Sequence, residues 1–266
     1  MKLLVQGDDF GFTRAVTLGI VDSIDRGILR NTGLFTNMPA TEFAVSFIKD
    51  RPQACFGIDF NIVSGRSVAP ASEIPSLVDE NGEFIRSTVR IKDPRFATEE
   101  GRRAMFPYEE VYREIRAQYD RYVELVGTKP GYLHGHSLGH EHYHEAILQV
   151  AEESGVPYSG VTREKFDFAG FPRPSGPPKK EFNPIEQLEK NAVQRVLENS
   201  DYFLSHEYVV IVGHPGYIDD ELLQLTTLSL ERCKDAEMCM SPKILKWVED
   251  NNIELITYYD LYNTEK

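Results

Sequence analysis

The sequence is short of cysteine, of basic charge and of long apolar runs. Its three cysteines, Cys55, Cys233 and Cys239, are odd in number and show no CxxC spacing. That speaks against a disulfide framework and fits a reducing compartment. Lysine and arginine total 29 against 42 aspartates and glutamates, a net charge of −13 with histidine neutral. The deficit argues against a nucleic-acid partner, which needs a basic patch, and against anionic membrane surfaces. No stretch approaches the 18 or so apolar residues of a transmembrane helix. The opening MKLLVQGDDFGF ends its apolar run in two aspartates and has neither the apolar core nor the cleavage site of a signal peptide. The expectation is a soluble, cytoplasmic protein.

The chain has an ordinary globular composition, 41% hydrophobic and 27% charged over 266 residues, enough for a sizeable core. Apolar runs at 2–6, 31–38, 54–63, 131–137, 157–161, 208–212 and 253–257 read as strands. Helical patterns alternate with them, such as Val16, Ile20, Val21 and Ile24 behind a Thr13 cap. This β-α rhythm implies a parallel sheet with outer helices. Two stretches break it, about 64–107 and 165–184, and read as loop excursions. No linker or repeat divides the chain, so residues 1–266 are expected to form one α/β domain. Asp8, Asp9, Asp59, His134, His136 and His214 all fall at or just past predicted strand ends. A TIM-like (β/α) barrel, with seven strands or an irregular count, gathers those ends on one rim. An open sheet scatters them.

Four motifs carry chemistry. Gly7-Asp8-Asp9-Phe10-Gly11 puts two carboxylates side by side, which is costly without a positive partner. A divalent cation is such a partner: one aspartate binds it and the other serves as base. The plainer alternative is a cap and turn. Five of the seven histidines, 134, 136, 140, 142 and 144, lie within eleven residues. His134 and His136 share a face of a strand, whereas His136 and His140 suit one metal if the segment is helical. Both cannot hold for all five, so His142 and His144 are read as surface or supporting residues. Asp59 interrupts an apolar strand, and its face must line a polar interior or pair with an arginine. His214, between Gly213 and Pro215, is a candidate general acid.

Together these residues resemble the YdjC-like carbohydrate deacetylase family, which includes chitooligosaccharide deacetylases. The resemblance rests on Asp8–Gly11, on Asn31–Asn37 (NTGLFTN), on the third strand, on the His-rich strand and on the late His-Pro-Gly, in order along nearly the whole chain. It implies a TIM-like barrel and metal-dependent removal of acetyl from an N-acetylated sugar or chitooligosaccharide. Two positions depart from the family pattern. Asp59 stands where a metal-binding histidine is usual, and His134 where an aspartate is usual. The resulting expectation is one divalent cation on Asp9, Asp59 and His136, with His140 as a further ligand. Asp59 is a harder ligand than histidine and favours Mg²⁺, with Mn²⁺ or Zn²⁺ as alternatives. Asp8 is the expected base and His214 the acid. His134 and Arg163 are placed at the substrate or behind the ligands, Arg163 pairing with Asp8 or meeting substrate. The partner is a small carbohydrate, and a homodimer is compatible with the sequence. The alternatives are another metal-dependent barrel hydrolase or isomerase acting on a sugar phosphate, or a non-catalytic homologue that lost activity with the Asp59 exchange.

Overall fold

The structure is a computed structural model and describes residues 1–172 and 184–262. Among the described residues six strands form one parallel sheet: β1 (Lys2–Phe10), β2 (Asn31–Leu34), β3 (Cys55–Phe60), β4 (Leu133–Gly135), β5 (Tyr208–Gly213) and β6 (Glu254–Ile256). The spatial order is β4-β3-β2-β1-β5, with β6 also on β1. β1 is buried along almost its whole length, as its run KLLVQGDDF requires of a central parallel strand. One of its edges pairs with β5 from Lys2 to Gly7. The other edge is shared, β6 pairing Lys2 to Leu4 and β2 pairing from Gln6 to Phe10.

Asn31 sits where β2 and β6 meet. Its Nδ2 donates to the carbonyls of Val5 and Ile256, both at 3.1 Å, and its Oδ1 accepts from the Tyr258 amide at 3.0 Å. One buried side chain thus bonds three backbone groups where β2 and β6 meet, and the Val5 carbonyl also accepts from the Arg30 amide at 3.4 Å.

The helix Arg14–Asp25 buries Val16, Ile20, Val21 and Ile24, and Thr13 caps it by accepting from the Val16 amide. The chain forms one α/β domain. Beyond the sheet, single parallel bridges join Leu133 to Tyr158 and Ala169 to Val209. No helix among the described residues is long and apolar enough to cross a membrane.

Two sequence expectations change, and a third falls largely outside the described residues. The stretch 157–161 is not a strand: after the bridge at Tyr158 the chain turns into the helix Ser159–Lys165. The excursion at 64–107 is not bare loop, for it contains the short helices Ser87–Arg90 and Glu99–Met105. It is tied to the long helix Tyr108–Val126, whose Glu114 carboxylate accepts from the amides of Val68 and Ala69 at 3.0 and 2.8 Å. Of the excursion at 165–184, residues 173–183 lie outside the described residues.

Asn31→Ala removes the side-chain partner of two carbonyls and one amide at the centre of the sheet. The expected loss is about 3 kcal/mol, read by urea unfolding. A loss below about 1 kcal/mol contradicts the role given to Asn31.

Candidate active site

Successive side chains of a regular strand point to opposite faces, yet Asp8 and Asp9 both serve the same site. A bulge explains this. The pairing of β1 with β2 shifts register between Gly7 and Phe10, and Asp9 adopts a left-handed φ of +75°. Such a conformation costs a non-glycine residue about 1 kcal/mol. The Asp9 amide compensates by donating to Asp59 Oδ2 at 3.2 Å.

Asp9 and Asp59 are fully buried. His136, just past β4, brings Nδ1 to 3.0 Å from Asp9 Oδ1. Ligand atoms of Asp9, Asp59 and His136 all lie within 4.8 Å of one another. Asp9 Oδ2 is held at 2.6 Å by Arg232 Nη2, a side chain only 1% exposed. Asp9 Oδ1 and Asp59 Oδ1 are buried without a hydrogen bond of good geometry, although His136 Nδ1 lies close to the first. Buried acceptors rarely stay unpaired in a stable fold. Two buried carboxylate oxygens and an imidazole nitrogen converging at one point fit a divalent cation.

The electrostatics agree with that fit. Burial raises the pKa of Asp9, but Arg232, His136 and His214 outweigh it and hold the carboxyl well below its usual range. Burial, with the charges of Asp8 and Asp9 added, pushes Asp59 well above that range. Three carboxylates therefore face one arginine, and further positive charge would favour the ionised form of Asp59.

Asp8 stands beside this cluster, 5% exposed. Its Oδ1 accepts from Gln6 Nε2 at 2.6 Å, and His134 Nε2 lies 3.5 Å from its Oδ2. Burial raises its pKa, while His134, then His214 and Gln6, bring the net value below normal. Arg163 does not pair with Asp8 directly. It reaches Gln6 Oε1, which also accepts from Tyr258 Oη at 2.7 Å. His134 Nδ1 is 2.7 Å from Ser159 Oγ.

His214 follows β5. Its backbone amide donates to Asp235 Oδ2 at 2.9 Å, and Lys190 Nζ is 2.8 Å from the other Asp235 oxygen. Gly7 lets this turn approach β1, since a Cβ there would sit 2.7 Å from Pro215 Cγ. A cavity of about 520 Å³ is lined by Asp8, Asp59, His134, His136, His214 and Arg232. The 64–107 excursion adds Ser64, Arg86, Ser87 and Thr88 to its wall.

His140 is not brought to this cluster. Its Nδ1 accepts from the His142 amide at 3.2 Å and caps the helix Glu141–Ser154, and its ring lies 5.0 Å from Phe106. It borders a different cavity, with Tyr143 and Tyr158. His142 and His144 are local, near the Phe106 carbonyl and Tyr158 Oη. Sequence reasoning missed Arg232, Gln6, Ser159 and Tyr258. Arg232 left a faint trace. It continues the buried face of Asp235, Ala236 and Cys239 on the helix Glu231–Met240 at helical spacing.

Strand ends gathered over a parallel sheet, with an acidic and histidine cluster beside one cavity, give an α/β protein with a candidate site whose Asp9, Asp59 and His136 could hold a metal ion. The particular family follows from comparison. The model of the YdjC-like protein family matches residues 2–250, and the chain belongs to that family. A Listeria innocua protein named carbohydrate deacetylase 2 is 35% identical, over 98% of this chain and 99% of that one. A Geobacillus stearothermophilus carbohydrate deacetylase is 28% identical, over 97% of each chain. The crystal structure of an Enterococcus faecalis protein superposes with a TM-score of 0.76 at 22% identity, covering 98% of both chains.

Replacing Arg232 leaves a buried anion at Asp9. In metal-free protein, Arg232→Met is expected to lose about 3–5 kcal/mol at pH 7. The sign follows from linkage. A lowered native pKa gives stability above the unfolded value near 3.8 that disappears as pH falls through the native one. The gap between wild type and variant should therefore narrow below pH 4 in thermal unfolding. A gap unchanged from pH 7 to pH 3 contradicts the Asp9–Arg232 assignment.

Proposed function

We propose that this protein is a metal-dependent hydrolase that removes the acetyl group from an N-acetylated sugar or chitooligosaccharide. The observation that carries the reading is the convergence with His136 of two buried carboxylate oxygens that lack a well-formed hydrogen bond, Asp9 Oδ1 and Asp59 Oδ1. The names of the relatives supply the substrate class. The parallel strands are read as the wall of a TIM-like barrel, with the cavity at their C-terminal ends.

Asp9, Asp59 and His136 would hold one divalent cation. Such a cation polarises an amide carbonyl and makes water more acidic, and it stabilises negative charge on oxygen. The chain's own groups do the rest. Asp8, kept ionised by His134 and Gln6, accepts the proton of the attacking water. His214, anchored through Asp235, donates a proton to the departing amine. Arg232 holds Asp9 so that one oxygen stays free for the cation. The excursion at 64–107 closes the cavity around the sugar. Two carboxylates and one imidazole make a hard donor set, which favours Mg²⁺, then Mn²⁺, over Zn²⁺.

Acetate release from a panel of N-acetylated mono- and oligosaccharides tests the reading. Activity is expected with Mg²⁺ or Mn²⁺. Chelation should abolish it, re-addition should restore it, and Asp9→Asn should lower it by about a thousandfold or more. Metal-loaded protein that releases no acetate from any sugar contradicts the function. Activity indifferent to chelation contradicts the metal.

A further inference from the structure

The short helix Ser159–Lys165 stands behind Asp8 rather than in the cavity. Ser159 and Arg163 are four residues apart and so share one helical face. Each reaches Asp8 through a single intermediary. Ser159 Oγ is 2.7 Å from His134 Nδ1, and His134 Nε2 faces Asp8 Oδ2. Arg163 donates to Gln6 Oε1, and Gln6 Nε2 donates to Asp8 Oδ1 at 2.6 Å.

The orientation of the Gln6 amide is dictated by its surroundings. Its oxygen lies between two donors, the Arg163 guanidinium and Tyr258 Oη. A flipped amide would set donors against donors and an oxygen against a carboxylate. Gln6 is 1% exposed, so no solvent relieves such a clash. Tyr258 is held as well, its Oη accepting from Arg163 Nε at 3.3 Å and its ring stacked on Tyr132 at 4.2 Å. The two arms differ in reach. Oδ1 is fixed by a short hydrogen bond, whereas the nearest basic nitrogen to Oδ2 is 3.5 Å away, beyond a good hydrogen bond.

We propose that the helix Ser159–Lys165 is a two-armed clamp that aims Asp8, with Gln6 pinning Oδ1 and leaving Oδ2 as the proton-accepting atom. Ser159, Arg163 and Gln6 are positioning residues, and the proposal rests on the deacetylase reading above. Both arms begin on one helix: the Gln6 arm fixes Oδ1 by a hydrogen bond, and the His134 arm sets an imidazole beside Oδ2 without binding it. Aim matters more than binding for a base, because small misplacements of a reacting group are paid in rate.

The test uses full-length protein with saturating divalent cation and a sugar that the wild type deacetylates. Gln6→Glu keeps the Arg163 and Tyr258 contacts but removes the donor to Asp8. It and Arg163→Met should each lower kcat by about ten- to a hundredfold while KM stays within about twofold. Arg163→Lys should recover part of that loss, and Ser159→Ala should lower kcat through the other arm. A second readout needs no turnover. In metal-free protein, Gln6→Glu should lower Tm more in the wild-type background than in Asp8→Asn, where the repelling charge is gone. Unchanged kcat in the Gln6 and Arg163 variants, a parallel shift of kcat and KM, or additive Tm changes each overturn the clamp. A wild type silent on every sugar overturns the deacetylase reading instead, and the Tm cycle still decides the clamp.

Discussion

Three buried aspartates have to coexist at the end of one sheet. Asp8, Asp9 and Asp59 are each 5% exposed or less, and like charges in so small a volume repel strongly. Much of the surrounding structure follows from that constraint. Arg232 is buried because Asp9 needs a cation at its second oxygen. The bulge at Asp8–Asp9 and the positive φ of Asp9 are tolerated because they turn two neighbouring carboxylates toward one site. Gln6, His134 and His136 supply the remaining hydrogen-bonding and positive partners. Asp59 is left without a cation of its own, and the proposed divalent ion would supply positive charge at that point.

The division of labour among the carboxylates comes from their surroundings rather than from their kind. Asp9 is clamped by an arginine and has a low pKa. Asp59 lacks such a partner and has a raised one. Asp8 borders the cavity, is held on one oxygen by a neutral amide, and has a pKa below normal. Environments that push titratable groups apart are the usual mark of an acid–base site. Behind them Asn31 joins β1, β2 and β6, so that the strand carrying Asp8 and Asp9 cannot shift.

Much of this was legible in the sequence. Asp8, Asp9, Asp59 and His136 could be placed because parallel strands announce themselves as apolar runs, and polar residues ending them fall at one end of the sheet. The bulge was not legible, since nothing in GDDFG distinguishes a register shift from a turn. His140 misled because its four-residue spacing from His136 suits a helix, whereas the helix starts only after His140 and uses it as a cap. The helix at Ser159 was hidden because the run around it is short and apolar and contains Gly160 and a β-branched Val161, which read as a strand. Arg232 lies in a stretch dense in charge, ERCKDAE, that resembles a solvated face. Only the packing of that helix against the helices Arg14–Asp25 and Ala192–Glu198 turns it inward.

The central claim is that Asp9, Asp59 and His136 hold one divalent cation. The most direct measurement is an anomalous difference map from crystals grown with Mn²⁺. The account predicts one strong peak about 2.0–2.3 Å from Asp9 Oδ1, Asp59 Oδ1 and a His136 ring nitrogen. A peak elsewhere, with those two oxygens still unliganded, would contradict it.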